Sequence, residues 1–258
     1  MKIIDTHAHL DQVQDVDQAL KEAARCGVEA VVAVGVDLAA NQKNLNIQAR
    51  VGDPKIYVAL GIHPQSLPGE SVEESLDFIR KNVGQARAVG EVGLDFWYKH
   101  VRKDEGMKKL QKDVFARQLK LAKEFDLPVI IHSRGAWADC VAMVKESGIG
   151  RGVFHWFSGP LEILKEILEL GFLISATPSL AYSPQARAAV EEAPLDRILI
   201  ETDTPVFYKN TDLDGGFTAG PKDVVRTLNL LAELKKIPPQ EAVTVLDANA
   251  RDVFGLNP

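Results

Sequence analysis

Blocks of apolar and polar positions follow one another along the chain, and their spacing predicts a repeated strand–helix pattern. Short continuous apolar runs, such as residues 30–36 and 56–61, are typical of parallel strands that are buried on both faces. Longer segments between such runs, such as residues 104–125, carry apolar residues at helical spacing. We predict eight strands, of which the first begins at Ile3 and the others cover residues 30–36, 56–61, 88–94, 127–132, 152–157, 172–176 and 197–203.

The segments between the predicted strands are interpreted as helices. Gly27 ends the first of them, and Ser71 with Glu74 has the spacing of a capping box at the start of the third. The longest irregular stretch, residues 207–220, follows the eighth strand, and a loop of this length in a compact domain is usually functional. The predicted helices cover residues 13–26, 41–51, 71–82, 104–125, 136–146, 161–170, 184–193, 221–235 and 239–254.

The alternation of strands and helices continues without a linker or a low-complexity segment. It predicts an α/β fold in which a (β/α)8 TIM barrel forms a single domain over residues 1–258. A doubly wound open sheet is the alternative, but no GxGxxG motif follows the first strand.

Composition limits the class of protein. Of the 258 residues 46% are hydrophobic, yet no apolar run approaches the ~20 residues that a membrane span needs. Met1 and Lys2 lead directly into the first strand and leave no room for a signal peptide, so we expect a cytoplasmic protein. Cys26 and Cys140 lack CxxC spacing, which favours reduced packing cysteines over metal ligands or nucleophiles.

The formal net charge is -6, and the pI is about 5.6. This charge argues against a broad basic surface that holds nucleic acid through many phosphates. It leaves open a nuclease that binds one or two phosphates on metal ions, because such cations are not counted in a sequence.

Residues with metal-binding or catalytic side chains gather at the predicted strand ends. Five of the six histidines stand there together with two acidic residues, namely His7, His9, His63, His132 and His155 with Glu91 and Asp203. In a barrel these ends converge on the face where catalytic residues lie. His7 and His9 are two residues apart on one strand, so both imidazoles can point to the same side.

Most of these residues also have a structural explanation when each is taken alone. A histidine at a strand end can be hydrogen-bonded or exposed, and Asp203 can cap the turn ahead of Pro205. Glu91 is harder to explain in this way, because a carboxylate in an apolar strand is costly to bury without a cation. Together the residues predict a metal site.

The number of candidate ligands indicates two ions. Four histidines and two carboxylates exceed what one tetrahedral ion needs, whereas two divalent ions bridged by a carboxylate suit hydrolysis. The simplest partition places His7, His9 and Asp203 on one ion, His132 and His155 on the other, and Glu91 between them.

Six short motifs in this order resemble the TatD-like metal-dependent deoxyribonucleases of the amidohydrolase superfamily. The motifs begin at Asp5 (DTHAHLD), Gly61 (GIHP), Gly90 (GEVGLD), His132 (HSR), His155 (HWFSG) and Glu201 (ETDTP), and the resemblance covers nearly the whole chain. It implies a (β/α)8 hydrolase that carries two divalent ions and cleaves phosphodiester bonds in DNA, as a 3′–5′ exonuclease.

The same resemblance implies roles for single residues. Metal ligands are expected at His7, His9, Glu91, His132, His155 and Asp203. Asp203 and Glu91 are the expected catalytic residues, with Asp203 handling the proton of the attacking water. His63, Arg134 and Ser158 are expected to contact the scissile phosphate or its neighbour, and a salt bridge at the barrel rim is the alternative for Arg134.

The cofactors and partners follow from these roles. The ions can be magnesium, manganese or zinc, because histidine-rich sites accept several metals. DNA or short single-stranded nucleic acid is the expected substrate, no membrane partner is expected, and a monomer is sufficient for a barrel of this size.

Two stretches depart from the family pattern. Family members carry a basic stretch that ends in Asn-Glu-Pro after the ETDxP motif, whereas residues 215–221 read GGFTAGP and follow Asp212 and Asp214. The loss of positive charge there puts polymeric DNA in doubt more than hydrolysis. Trp156 stands where a small residue is usual, and both Trp97 and Trp156 could stack a nucleobase or simply pack at the barrel rim.

Two other functions stay open. The first is a small-molecule amidohydrolase, lactonase or phosphoesterase on the same dinuclear site. Many such enzymes bridge their metals with a carboxylated lysine, whereas the fourth strand here presents Glu91, and Lys99 lies beyond its end. The second is a non-enzymatic metal-binding scaffold, which is disfavoured because open coordination positions and a general base serve no purpose in storage.

Overall fold

The computed structural model describes residues 2–209 and 215–256, and its long strands form one eight-stranded sheet in sequence order. Each strand pairs in parallel with the next one along the chain. These strands are β1 (Ile3–Ala8), β2 (Val28–Val34), β3 (Lys55–Leu60), β4 (Ala86–Gly93), β5 (Val129–His132), β6 (Gly152–Phe154), β7 (Leu173–Ala176) and β8 (Ile198–Ile200).

The sheet closes between its first and last strands. Ala8 forms a parallel bridge with Thr204. The backbone N–H of Asp203 donates to the carbonyl of His7 at 2.9 Å, and the N–H of His9 donates to the carbonyl of Thr204 at 2.8 Å. The predicted (β/α)8 barrel is therefore confirmed.

Helices follow the strands on the outside of the barrel. Within the described residues they are α1 (Val16–Arg25), α2 (Leu38–Arg50), α3 (Val72–Asn82), α4 (Glu105–Glu124), α5 (Trp137–Ser147), α6 (Leu161–Glu169), α7 (Pro184–Glu192), α8 (Val224–Lys235) and α9 (Pro239–Phe254). Every predicted helix is present, with ends that differ by a few residues. None of the helices in residues 2–209 and 215–256 is long and apolar enough to cross a membrane.

Three local predictions were wrong. Strand β6 ends at Phe154 rather than at residue 157. Ser71 precedes α3 but its side chain makes no capping hydrogen bond, so the capping box with Glu74 is absent. The neighbouring Glu70 carboxylate instead accepts hydrogen bonds from the Leu38 N–H and the Ser75 hydroxyl. Strand β8 ends at Ile200 rather than at residue 203.

The region after β8 is less irregular than predicted. A short antiparallel pair is formed by β9 (Phe207–Tyr208) and β10 (Phe217–Thr218). Asp212 and Asp214, which the sequence analysis set against the family's basic stretch, lie outside the described residues.

Two buried layers hold the barrel together. The larger layer packs the sheet against the surrounding helices. The smaller layer fills the barrel with residues from the strands, among them Ile4, Ala88 and Ile130, and it includes Val253 and Phe254 from the end of α9. Helix α9 also packs against the turn that leads into β8, so its last turns cover the amino-terminal end of the barrel. The cavity described below lies at the opposite, carboxyl-terminal end.

Candidate metal centre

A cavity of about 690 Å³ opens at the carboxyl ends of the strands. It is the place where a (β/α)8 barrel carries its catalytic residues. Most of the residues predicted for the site line this cavity, namely His9, His63, Glu91, His132, Arg134, His155, Ser158 and Asp203. His7 is fully buried directly beneath them, with its Nε2 atom 3.3 Å from that of His9.

Four ligand atoms converge on one side of the cavity. His7 Nε2 and His9 Nε2 lie 3.4 and 3.2 Å from Asp203 Oδ1. Each of these nitrogens is also 3.5 Å from Glu91 Oε2. The set combines two imidazoles with two carboxylates, which is the donor chemistry of a zinc or manganese site.

A second set of ligand atoms surrounds the other oxygen of Glu91. His132 Nδ1 lies 2.8 Å and His155 Nε2 lies 2.7 Å from Glu91 Oε1, and these two nitrogens are 3.3 Å apart. The carboxylate of Glu91 therefore stands between two groups of ligands with one oxygen turned to each. This grouping is the partition that the sequence analysis predicts, while the role of these residues as ligands remains a prediction.

The spacing of these atoms fits a bound cation. Two ligands of a tetrahedral ion with bonds of 2.0–2.1 Å lie about 3.3 Å apart, and the separations in the first set are 3.2–3.5 Å. Asp203 Oδ1 is buried and, although His7 and His9 are close, it makes no hydrogen bond of normal geometry with the described residues. A buried carboxylate oxygen without a hydrogen-bond partner is costly, and a metal ion would compensate it.

Register shifts in two strands aim His7 and Glu91 at the cavity. Ile4 of β1 and Ala88 of β4 face the barrel interior, and simple alternation would point residues three positions later outwards. The register of β1 against β2 shifts between Asp5 and Ala8, and that of β4 against β5 shifts between Val89 and Val92. Each shift lies just where its strand supplies a ligand, as β-bulges beside active sites do.

The second ring nitrogen of three of these histidines faces an acceptor. His9 Nδ1 lies 3.2 Å from the Val34 carbonyl. His132 Nε2 is 2.8 Å from Asp95 Oδ2, and His155 Nδ1 is 3.3 Å from Glu201 Oε1. An acceptor at one nitrogen holds the proton there and leaves the other nitrogen free to bind a metal.

Asp95 and Glu201 are functional candidates that the sequence analysis missed. Both carboxylates are buried, and both occur within the family motifs without an assigned role. Glu201 also forms a group with His7 and His155 in which one ligand atom from each residue lies within 4.8 Å of the others. The sequence did contain a signal for them. Asp95 lies four positions after Glu91, and Glu201 lies two positions before Asp203.

His63 differs from the other histidines of the cavity. Its Nδ1 accepts the backbone N–H of Gln65 at 3.1 Å, so in the neutral ring the proton is on Nε2. Nε2 lies 3.5 Å from Glu91 Oε1 and belongs to a compact group with Glu91 and His132. The protonated Nε2 makes His63 a hydrogen-bond donor towards the cavity and a poor metal ligand.

Burial and neighbouring charges shift the pKa values of the acidic residues and histidines in the cavity. Burial by itself would raise the pKa of Glu91, but the neighbouring histidines outweigh it and hold this pKa well below its usual range. Asp203 is affected in the same way, mainly through His9 and His7, and its pKa falls to about 2. Burial would lower the pKa of His9, but Asp203 and Glu91 raise it to about 9. Burial lowers the pKa of His63 to about 3, so this ring is neutral.

The remaining predicted residues lie at the wall and rim. Arg134 and Ser158 line the cavity, and Arg134 makes no salt bridge with the described part of the chain. Trp156 is fixed in the wall, because its indole N–H donates to Ser179 Oγ at 3.0 Å and its ring contacts Tyr208. Trp97 is 52% exposed.

Comparisons with known proteins find relatives along nearly the whole chain. A family model described as "TatD related DNase" matches residues 4–255. The uncharacterized metal-dependent hydrolase YabD of Bacillus subtilis is 32% identical, and the match covers 99% of this chain and 100% of that protein. The deoxyribonuclease TATDN3 of Homo sapiens is 30% identical, with 98% of this chain and 94% of that protein covered.

A solved structure extends the similarity to three dimensions. The crystal structure of YJJV, a TatD homologue from Escherichia coli K12, matches with a TM-score of 0.89 at 29% identity and covers 99% of this chain and 98% of its own. An uncharacterized amidohydrolase from Saccharomyces cerevisiae shares the fold at 18% identity, with a TM-score of 0.81.

Proposed function

Because the chain belongs to the TatD-related DNase family, we propose that it is a divalent-metal-dependent hydrolase that cleaves phosphodiester bonds in DNA. We also propose that it uses two ions, of magnesium, manganese or zinc, and removes nucleotides from the 3′ end. The observation that carries this proposal is the position of Glu91, whose two oxygens face two separate sets of ligand atoms.

Six residues would hold the ions. His7, His9 and Asp203 would bind one ion, His132 and His155 the other, and Glu91 would bridge them. When bound, two such ions activate water and neutralise the charge that develops on the attacking and leaving oxygens of an in-line displacement.

Asp203 and His63 would act on the substrate directly. Asp203 is ionised at neutral pH, because its pKa is about 2, so its carboxylate can accept the proton of the attacking water. The Nε2–H of His63 can donate to an oxygen of the scissile phosphate from the same side of the cavity as Glu91. Arg134 and Ser158 would contact a neighbouring phosphate, for which the planar guanidinium is suited.

A digestion assay tests the proposal. Single-stranded DNA labelled at either end is incubated with magnesium, manganese or zinc, beside the Glu91→Ala and Asp203→Asn variants. We expect metal-dependent shortening from the 3′ end that both variants abolish or nearly abolish. Glu162→Ala is the matched control, because Glu162 is exposed on α6 and its side chain makes no hydrogen bond or salt bridge with the described residues. An active, fully metallated Glu91→Ala enzyme would contradict the bridging role.

A small-molecule amidohydrolase, lactonase or phosphoesterase is the second candidate function. The observation that favours it is that Arg134 alone among the lysines and arginines of residues 2–209 and 215–256 lines the cavity. Turnover of lactones, amides or phosphomonoesters without release of acid-soluble nucleotides would support it.

The remaining assignments are proposals from the sequence. We propose that residues 1–258 act as one domain and that the protein works as a monomer in the cytoplasm.

A further inference from the structure

The loop between β4 and α4 carries a cluster of three exposed basic side chains, Lys99, Arg102 and Lys103. Its acidic residues stand at its two ends, Asp95 buried at the start and Asp104 exposed just before α4. None of these three cations makes a salt bridge in the described ranges 2–209 and 215–256. By contrast, Lys112 in the helix that follows is paired with Asp139 at 2.6 Å. In a chain of net charge -6, this loop is a local basic surface.

Trp97 stands at the centre of this surface. It is 52% exposed, which is unusual for the largest apolar side chain. Its backbone N–H donates to Asp95 Oδ1 at 2.8 Å, which fixes the start of the loop. The guanidinium carbons of Arg102 and Arg134 lie 4.5 and 5.8 Å from the centre of the indole ring. Both guanidinium groups therefore lie within cation–π distance of this half-exposed ring.

This surface continues into the cavity. Arg134 and Tyr98 both line the cavity, and the Tyr98 hydroxyl donates to Gln65 Oε1 at 2.7 Å. The backbone of Phe96 donates to the Arg134 carbonyl at 3.0 Å, which joins the loop to the end of β5. Arg134 thus belongs both to the wall of the cavity and to the surroundings of Trp97.

We propose that Trp97, Arg102 and Arg134 form a binding track for single-stranded DNA beside the cavity. A base stacks on Trp97, and the two guanidinium groups hold the flanking phosphates. Unpaired bases suit this track, because bases within a duplex do not expose their faces for stacking on a side chain. This inference rests on the proposed function, of which it names the substrate form.

The track also accounts for the missing basic stretch after β8. Residues 215–221 carry no lysine or arginine, whereas residues 97–103 carry three. The positive charge that guides the substrate is thus placed on the β4 side of the cavity.

Binding of an oligonucleotide that resists hydrolysis tests the track separately from catalysis. The probe is a fluorescein-labelled octanucleotide with phosphorothioate linkages, and its Kd for the full-length, metal-supplied protein is measured by anisotropy at several salt concentrations. Trp97→Ala should raise Kd by about 5- to 150-fold without changing the salt dependence. Arg102→Ala should lower the slope of log K against log[salt] by about 0.7, the value for one phosphate contact of a single strand.

Two further variants serve as controls for the binding measurement. Trp97→Phe keeps an aromatic face and should restore most of the affinity that Trp97→Ala loses. Arg197→Ala removes one exposed cation at the amino-terminal end of the barrel, just before β8, and should change neither Kd nor the salt slope.

Separate outcomes overturn the two proposals. If Trp97→Ala binds the octanucleotide as tightly as the wild type, or if a duplex of the same sequence binds as tightly as the single strand, the track is overturned. If the octanucleotide binds with the expected pattern but unmodified DNA is not cleaved with any metal, the track is supported and the nuclease function is overturned. If DNA is cleaved while Trp97→Ala and Arg102→Ala bind the octanucleotide as tightly as the wild type, the nuclease function is supported and the track is overturned.

Discussion

One hydrogen-bond partner decides which nitrogen of each histidine is free. His9, His132 and His155 each have an acceptor at one ring nitrogen and turn the other towards the ligand cluster. His63 has a donor, the Gln65 N–H, in the corresponding place. Sequence alone placed all four histidines on one face but could not separate them, because the partner of a ring nitrogen is set by the three-dimensional arrangement of backbone and side chains. The resemblance to a family supplied the distinction that the hydrogen bonds explain.

The Asp95 carboxylate should matter for metal affinity without touching the metal. Its Oδ2 accepts from His132 Nε2 at 2.8 Å, and loss of such a partner typically costs 10- to 100-fold in affinity. We expect Asp95→Asn to weaken binding of one of the two ions by about this factor in titration calorimetry. Asp252→Asn, an exposed change on α9, is the control. Equal affinities of both variants would remove the positioning role of Asp95.

Metal binding should release protons. The pKa of His9 is raised to about 9 by Asp203 and Glu91, so in the metal-free protein this ring is protonated at neutral pH. A metal ion needs the neutral ring, and it must displace that proton. We expect affinity for manganese to rise up to about tenfold per pH unit between pH 6.5 and 8.5 and to level off above pH 9.

Calorimetry in two buffers of different ionisation enthalpy measures the released protons directly. An affinity that is independent of pH over this range would contradict a protonated His9.

At the scale of strands and helices, the sequence predicted which elements exist better than where their side chains point. Apolar runs located every strand because parallel strands buried on both faces have few polar positions. The register shifts in β1 and β4 left no such signal, although they turn His7 and Glu91 into the cavity. Strand β8 was predicted too long, since its regular strand conformation ends at Ile200 and Asp203 has a φ of 50°.

The contact between β3 and β4 requires a glycine at position 61. A Cβ there would lie 2.6 Å from the carbonyl carbon of Gly90 and 2.7 Å from the oxygen of Glu91, and both are backbone atoms that cannot yield easily. We expect Gly61→Ala to destabilise the fold by about 1–3 kcal/mol in urea unfolding and to weaken metal binding, because Glu91 must move. Gly84→Ala, whose Cβ would meet nothing within 4 Å, should change neither property appreciably.

A Gly61→Ala protein with unaltered metal affinity would show that Glu91 tolerates this displacement. A loss of stability in Gly84→Ala equal to that in Gly61→Ala would point instead to a general effect of replacing glycine.

For the whole molecule, the ions should act as part of the fold. Six buried or partly buried candidate ligand residues come from β1, β4 and β5 and from the segments that follow β1, β6 and β8, so an ion would cross-link much of the barrel mouth. A ligand present at 100 times its Kd stabilises the native state by about 2.7 kcal/mol. For a chain of this size each kcal/mol corresponds to about 2–4 °C in Tm.

We therefore expect manganese or zinc to raise Tm by several degrees and a chelator to reverse the change. The Glu91→Ala variant should lose most of this response. A Tm that is equal with metal and with chelator would argue against a site that is bound to the folded state.

The filled interior of the barrel has a consequence for how a polymer can move. Strand side chains occupy the interior, and the last turns of α9 cover its amino-terminal end, so within the described residues the molecule is a cup and not a ring. A strand cannot be threaded through a cup. If the protein removes nucleotides from a DNA end, as proposed, the remaining strand and each released nucleotide must use the same mouth of the barrel.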